Sequence, residues 1–191
     1  MGKVVIVTIS GTTCAGKTTL ARGIIANHDS CNMIQSVTTR ESRPTDLLGE
    51  YAYVSREDFD RLEEQGRFIW SVDYGSAAYG TLFSSIVELA KKESGVGIMI
   101  LTPNVMSTLR EFLGNYFPAV EHVPIFLRSP SKEIVLARAS ARGDDVNKTL
   151  SRLEEGAKWD IEANGSAVPF QFIDNFGMPE EMVRRVLCLL G

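Results

Sequence analysis

Five runs of apolar and β-branched residues, at 4–10, 34–38, 96–101, 123–127 and 170–173, predict buried strands. Between them the apolar positions change to a spacing of three and four, which predicts helices. After the first run, Leu20, Ala21, Ile24 and Ile25 share one helical face. Residues 103–113 open on Pro103, suited to a first helical turn, and set Val105, Met106, Leu109, Phe112 and Leu113 on one side. Segments 131–142 and 147–163 keep the same period, the second with Leu150, Leu153, Ala157 and Ile161 in step. A last helix begins near Pro179 and buries Met182, Val183, Val186, Leu187 and Leu190. Strands alternating with helices predict an α/β fold, a parallel sheet flanked by helices on both faces. Such folds bind ligands at the C-terminal ends of their strands.

The alternation breaks between 40 and 83. Charged and aromatic residues dominate there, with short strand-like pieces at 51–54 and 68–70. One helix starts at Ser55, with Asp58 three residues on as its capping-box partner. This stretch reads as a small lobe inserted into the parallel sheet.

Composition narrows the function classes. The chain has 191 residues, enough for one domain with a sizeable core. A net charge of −4 leaves no basic surplus, so a nucleic-acid polymer is not the expected partner. Cys14, Cys31 and Cys188 are odd in number and lack metal-ligand spacing, which predicts reduced thiols. The N-terminus enters a strand directly and no apolar run is long enough to cross a membrane, so the expected location is the cytoplasm.

The chemistry begins right after the first strand, in Gly11-Thr12-Thr13-Cys14-Ala15-Gly16-Lys17-Thr18. Gly, four residues, Gly, Lys and a hydroxyl residue form the phosphate-loop pattern. A turn of this kind points backbone N–H groups inward, and the following helix adds the positive end of its dipole. Lys17 is placed to neutralise β- and γ-phosphate oxygens, and the Thr18 hydroxyl to ligate Mg2+. The strand before and helix after separate this from a plain glycine turn. For Cys14 two readings stand: a thiol activated by nearby positive charge, or a small residue that fits.

A second group lies in the lobe: Ser36-Val37-Thr38-Thr39-Arg40, Arg43, Tyr51, and Tyr79-Gly80-Thr81. Arg40 and Arg43 offer forked donors suited to one phosphate, and Tyr51 and Tyr79 offer phenolic donors. Singly, each also reads as an ordinary surface arginine or packed tyrosine. Arg138 and Arg142, four apart on one helical face, and Arg152 form a third group, with Arg142-Gly143 marking a helix stop.

In this order the motifs resemble the guanylate kinase family along nearly the whole chain. The likeness rests on the phosphate loop, Ser36 to Arg40, Arg43, Tyr51-Ala52-Tyr53-Val54-Ser55, Tyr79-Gly80-Thr81, Arg138, Arg142-Gly143, Arg152-Leu153 and Asn175. It implies a three-layer P-loop NTPase fold: one domain, with a core of 1–35 and 84–191, an NMP-binding lobe of about 36–83 and a lid of about 138–153. It further implies that Arg40, Arg43, Tyr51 and Tyr79 bind the acceptor phosphate, and that Ser36 and Thr81 help to read guanine. Gly11 to Thr18, Thr19 and Asn175 would bind ATP with Mg2+, and Lys17, Arg138, Arg142 and Arg152 would act in catalysis. The implied activity is ATP-dependent phosphorylation of a nucleoside monophosphate, GMP or dGMP first, by a monomer or homodimer. The alternatives are another nucleotide or a phosphorylated sugar as acceptor, or a non-catalytic phosphopeptide-binding module.

The pattern fails at the base-reading acids. Where the family has a Glu, this chain has Trp70, in Phe68-Ile69-Trp70-Ser71. Where the family has Asp-x-Asp, this chain reads Ile98-Met99-Ile100-Leu101-Thr102. Trp70 has two readings, a platform stacked on a base or a core residue. A carboxylate facing the N1–H and amino group of guanine contributes about 1.5–3 kcal/mol. Phosphate chemistry is therefore retained in the sequence, while base reading is not.

Overall fold

The computed structural model describes residues 3–128, 130–141, 143, 145–175 and 178–190, without the side chains of Lys148 and Glu155. A five-stranded sheet has the order β2-β7-β1-β8-β9. Its strands are β1 (Val4–Gly11), β2 (Cys31–Met33), β7 (Gly95–Ile100), β8 (Glu121–Leu127) and β9 (Gln171–Ile173). The pairs β2–β7 and β8–β9 are parallel. All eight residues of β1 are buried, as expected of a strand covered on both faces. Around this sheet stand α1 (Lys17–Ala26), α3 (Phe83–Ala90), α4 (Met106–Tyr116), α5 (Lys132–Ala141), α6 (Val146–Gly165) and α7 (Pro179–Leu190).

A second sheet, β4-β3-β6-β5, is built from β3 (Ser36–Thr38), β4 (Tyr51–Tyr53), β5 (Phe68–Tyr74) and β6 (Ala77–Leu82), with α2 (Arg56–Glu64). The pair β3–β4 is parallel, whereas β6 runs antiparallel to both β3 and β5. One face packs Val37, Ala52, Val54, Phe68, Ala78 and Leu82 with Phe59 and Leu62 of α2. Ser55 caps α2 by accepting a hydrogen bond from the Asp58 N–H at 3.0 Å, as its sequence predicts.

The chain divides into two compact units. One comprises Met1–Val7, Asp29–Met99 and Ser107–His122; the other comprises Thr8–His28, Ile100–Met106 and Val123–Gly191.

Three details differ from the sequence expectation. The strand expected at 34–38 is only β3, in the second sheet, and the neighbour of β7 in the first sheet is β2, which ends just before that run. Ile34 N–H donates to Ile98 O at 2.8 Å, ending the pairing with β7, and Ser36 N–H donates to Glu50 O at 3.0 Å, starting the second sheet. The expected inner stripe of α6 is also shifted. Ala157 and Ile161 are exposed, and the buried positions are Thr149, Gly156 and Ala163, seven residues apart. Finally, β6 and α3 had no counterpart in the apolar pattern. The glycine of β6 has a reason: a Cβ at Gly80 would stand 2.7 Å from the Phe68 ring.

Candidate functional site: a phosphate loop and an arginine–tyrosine face

The turn between β1 and α1 has the backbone its sequence demands. Cys14 and Gly16 adopt left-handed conformations, with φ of 58° and 102°, and Gly16 occupies the N-cap of α1. Such changes of hand turn N–H groups toward one concavity, where the helix dipole adds positive potential. The Lys17 ammonium lies back across the turn, donating to Gly11 O at 2.7 Å and Thr12 O at 2.6 Å. Thr13 and Thr18 are half-buried and Thr19 is exposed, whereas Thr12 and Ala15 are buried.

Three side chains brace this loop from behind. The Cys14 side chain is buried against Val135 and Ala139 of α5, with Leu153 of α6 alongside, which favours the small fitting residue over the activated thiol. Arg138 Nη1 donates to Cys14 O at 3.0 Å. Asn175, buried after β9, donates from Nδ2 to Ala15 O at 2.6 Å. Its amide also stands where a Cβ at Gly16 would have to go, so position 16 has no room for a side chain. Arg152 is half-buried on α6, next to Leu153. Arg142 lies outside the described residues, while Gly143 just after it has φ 74°, a helix-ending conformation that glycine tolerates.

The second sheet gathers the other group on the face opposite α2. Strand alternation puts Tyr51 and Tyr53 of β4, Ser36 and Thr38 of β3, Tyr79 and Thr81 of β6, and Trp70 of β5 on that face. Tyr51 meets Tyr79 edge-on, with ring centroids 6.2 Å apart. The Arg40 guanidinium lies 5.0 Å from the Tyr51 ring centroid. It also makes a forked pair with Asp46, both nitrogen–oxygen distances being 3.0 Å. Asp46 further accepts from Tyr53 OH at 2.6 Å and from the Arg43 N–H at 2.7 Å. The Arg43 side chain itself is exposed.

Charge states follow from these contacts. Burial works against the Arg40 cation, but Asp46 outweighs it and holds the guanidinium firmly charged. Burial likewise works against the Asp46 anion, yet hydrogen bonds from Arg40, Tyr53 and the Arg43 N–H bring its carboxyl below the usual range. Glu50 is buried, and burial raises its pKa despite the Leu47 N–H donated at 2.9 Å. Tyr51 is raised by burial and then by Glu50, so its phenol stays a neutral donor at ordinary pH. Asp46, Glu50 and Tyr53 were not among the sequence-predicted residues. The signal for Asp46 was only its spacing, six residues after Arg40.

A profile of the guanylate kinase family matches residues 2–172. The chain belongs to the guanylate kinase family. A guanylate kinase from Neisseria meningitidis serogroup A is 31% identical over 183 residues, covering 94% of this chain and 84% of the relative. One from a Nostoc species is 31% identical over 163 residues, covering 85% of this chain and 77% of the relative. The crystal structure of guanylate kinase from Anaplasma phagocytophilum superposes with a TM-score of 0.66 at 21% identity, covering 99% of this chain and 85% of that one. A gluconokinase from Sinorhizobium meliloti shares the fold more loosely, with a TM-score of 0.51 at 13% identity, over 98% of this chain and 90% of that one.

Against that family, the departures at 70 and 102 have defined surroundings. Trp70 is only 9% exposed, and its indole N–H has no hydrogen-bond partner among the described residues. Thr102 is half-buried and precedes the 3-10 turn Pro103–Val105. Asp73, the nearest acid along β5, alternates to the opposite face and pairs with Arg56. Among the described residues no group of three or more His, Cys, Asp or Glu could hold a metal ion. The Thr18 hydroxyl, half-buried in the first turn of α1, is a hard oxygen donor of the type that suits Mg2+.

Proposed function

We propose that the chain is an ATP-dependent kinase that moves the γ-phosphoryl group of ATP onto the phosphate of a nucleoside monophosphate, with GMP and dGMP among its acceptors. The observation that carries this reading is the loop at the head of α1, where Lys17 spans the turn and Arg138 is fastened to the Cys14 carbonyl. The acceptor phosphate is already a nucleophile at neutral pH, so no general base is required. The work left to the protein is in-line positioning and neutralisation of charge on the moving group. In this reading Gly11 to Thr19 hold the donor, and Asn175 keeps the loop in shape. Arg40, Arg43, Tyr51 and Tyr79 hold the acceptor phosphate. Arg40 has to share its fork between that phosphate and Asp46, while Arg43 has its whole side chain to give.

Arg138, Arg142 and Arg152 belong to a lid of about 138–153, and 36–83 to the acceptor lobe. Support for the lobe comes from its own sheet and its own apolar cluster with α2. Mg2+, bound through Thr18 and phosphate oxygens, would supply further neutralisation of the triphosphate. An intact loop sets this reading above a phosphopeptide-binding module, which needs no lysine at position 17.

The test is ADP formation with ATP against GMP, dGMP, AMP, UMP, CMP and ribose phosphate. Lys17→Ala is expected to lower transfer by about a hundredfold to a thousandfold, since one preorganised charge contact contributes on the order of 3–4 kcal/mol. Arg43→Ala is expected to raise the acceptor KM about tenfold or more with a smaller change in kcat. Full transfer by Lys17→Ala, or ATP binding without transfer to any acceptor, overturns the reading.

A further inference from the structure

Ser36, Thr81 and Trp70 stand side by side on β3, β6 and β5, in one cross-strand row of the face that carries Tyr51 and Tyr79. Such neighbours have Cβ atoms about 5 Å apart. All three are buried, at 5%, 0% and 9% exposure. The hydroxyls of Ser36 and Thr81 lie 3.1 Å apart and bond to each other. The acids of this sheet are also engaged. Glu50 accepts from Leu47 N–H and interacts with the Tyr51 hydroxyl, Asp46 serves Arg40 and Tyr53, and Asp73 is on the opposite face with Arg56. What this end of the face holds instead is the Trp70 side chain, whose indole N–H is itself buried and has no partner among the described residues.

A base-reading site for guanine needs an acceptor, preferably charged, for the N1–H and amino group. With the acids of this sheet engaged elsewhere, those groups of guanine would go unpaired, and an unpaired buried donor is costly. Cytosine and uracil carry N–H donors of their own, but their single ring needs less room beside a bicyclic side chain. The phosphate end keeps its chemistry in Arg40, Arg43, Tyr51 and Tyr79.

We infer that this face selects its acceptor by the phosphate and not by guanine, Trp70 standing in place of a base-reading carboxylate, so that a pyrimidine nucleoside monophosphate is held at least as well as GMP. The inference rests on the acceptor role proposed above for this face.

The experiment is calorimetric binding of CMP, UMP and GMP to the full chain, wild type and Trp70→Glu. The expected result is a GMP affinity no higher than that for CMP or UMP in the wild type, and a shift of about tenfold or more toward GMP in the variant. If Trp70→Glu does not fold, Trp70→Gln supplies the acceptor oxygen without the charge and is expected to shift the ratio the same way. A wild-type preference for GMP of tenfold or more overturns the inference. So does an unchanged ratio in the folded variant, or failure of all three nucleotides to bind. Because the readout is binding, absence of phosphoryl transfer counts against the kinase reading alone, and strict binding of GMP counts against this one alone.

Discussion

Gly156 of α6 presses its bare Cα against the side chain of Thr12 in the phosphate loop, so tightly that a Cβ at 156 would lie 2.8 Å from Thr12 Cβ and closer still to its methyl group. Thr12 is fully buried, so it has no solvent side toward which to move. Gly156→Ala is expected to lower stability by about 1–3 kcal/mol, the usual cost of overpacking. ATP affinity should fall with it, because the strain falls on the loop itself. Thermal melting and nucleotide titration of the variant check this; unchanged values for both would refute the packing argument.

Asn175→Asp tests the loop brace. The native amide donates to Ala15 O, whereas a carboxylate there would meet that carbonyl with no proton to offer. It would also set negative charge beside a phosphate site. The expected outcome is an ATP KM raised at least tenfold, with Asn175→Ala intermediate, measured by steady-state kinetics at fixed acceptor.

The Arg40–Asp46 fork gives a pH signature. The side chains are 11% and 13% exposed, so Asp46→Asn leaves a buried cation without its counter-charge. A loss of about 2–4 kcal/mol is expected at pH 7. The Asp46 carboxyl is lowered in the fold, so its contribution is complete above the ordinary carboxylate pKa and is lost as pH falls through the folded-state value. Urea unfolding of wild type and variant should therefore converge below about pH 4. A constant gap across that range would refute the assignment.

His122 of β8 works in a different window. Burial, with Arg110 as the second cause, pushes its pKa down to about 4 from the usual 6.5. The fold thus favours the neutral ring, and its contribution is present above pH 6.5 and lost as pH falls toward 4. The loss amounts to at most about 3 kcal/mol. His122→Gln is expected to flatten the stability curve between those limits, as read by denaturant unfolding at pH 7.5 and 4.5.

Most of the five-stranded sheet is legible because β1, β7, β8 and β9 carry apolar runs and the loop has a fixed spacing, whereas β2, Cys31-Asn32-Met33, is no such run. Met106, Leu109, Phe112 and Leu113 are buried as the period of three and four required. The second sheet was harder to read. Its β6, Ala-Ala-Tyr-Gly-Thr-Leu, mixes small residues with large ones, and the need for glycine at 80 is set by Phe68 across the ladder, which no local pattern announces. The α6 stripe was misread for a related reason. Gly156 is buried because Thr12 sits against it, while Ile161 is 75% exposed despite its hydrophobicity. At the candidate site, the Arg and Tyr positions could be named from spacing. The hydrogen bonds that occupy Arg40 could not, since they depend on how the turn at Asp46 folds back.

The two sides of the small sheet answer to different demands. Val37, Ala52 and Ala78 face Phe59 and hold the sheet to its helix, while Tyr51, Tyr79 and Trp70 project the other way. In the acceptor role proposed for the latter side, recognition and support fall to alternate residues of the same strands. For evolution or for an engineer, that proposal makes substrate preference a trait adjustable one alternate position at a time.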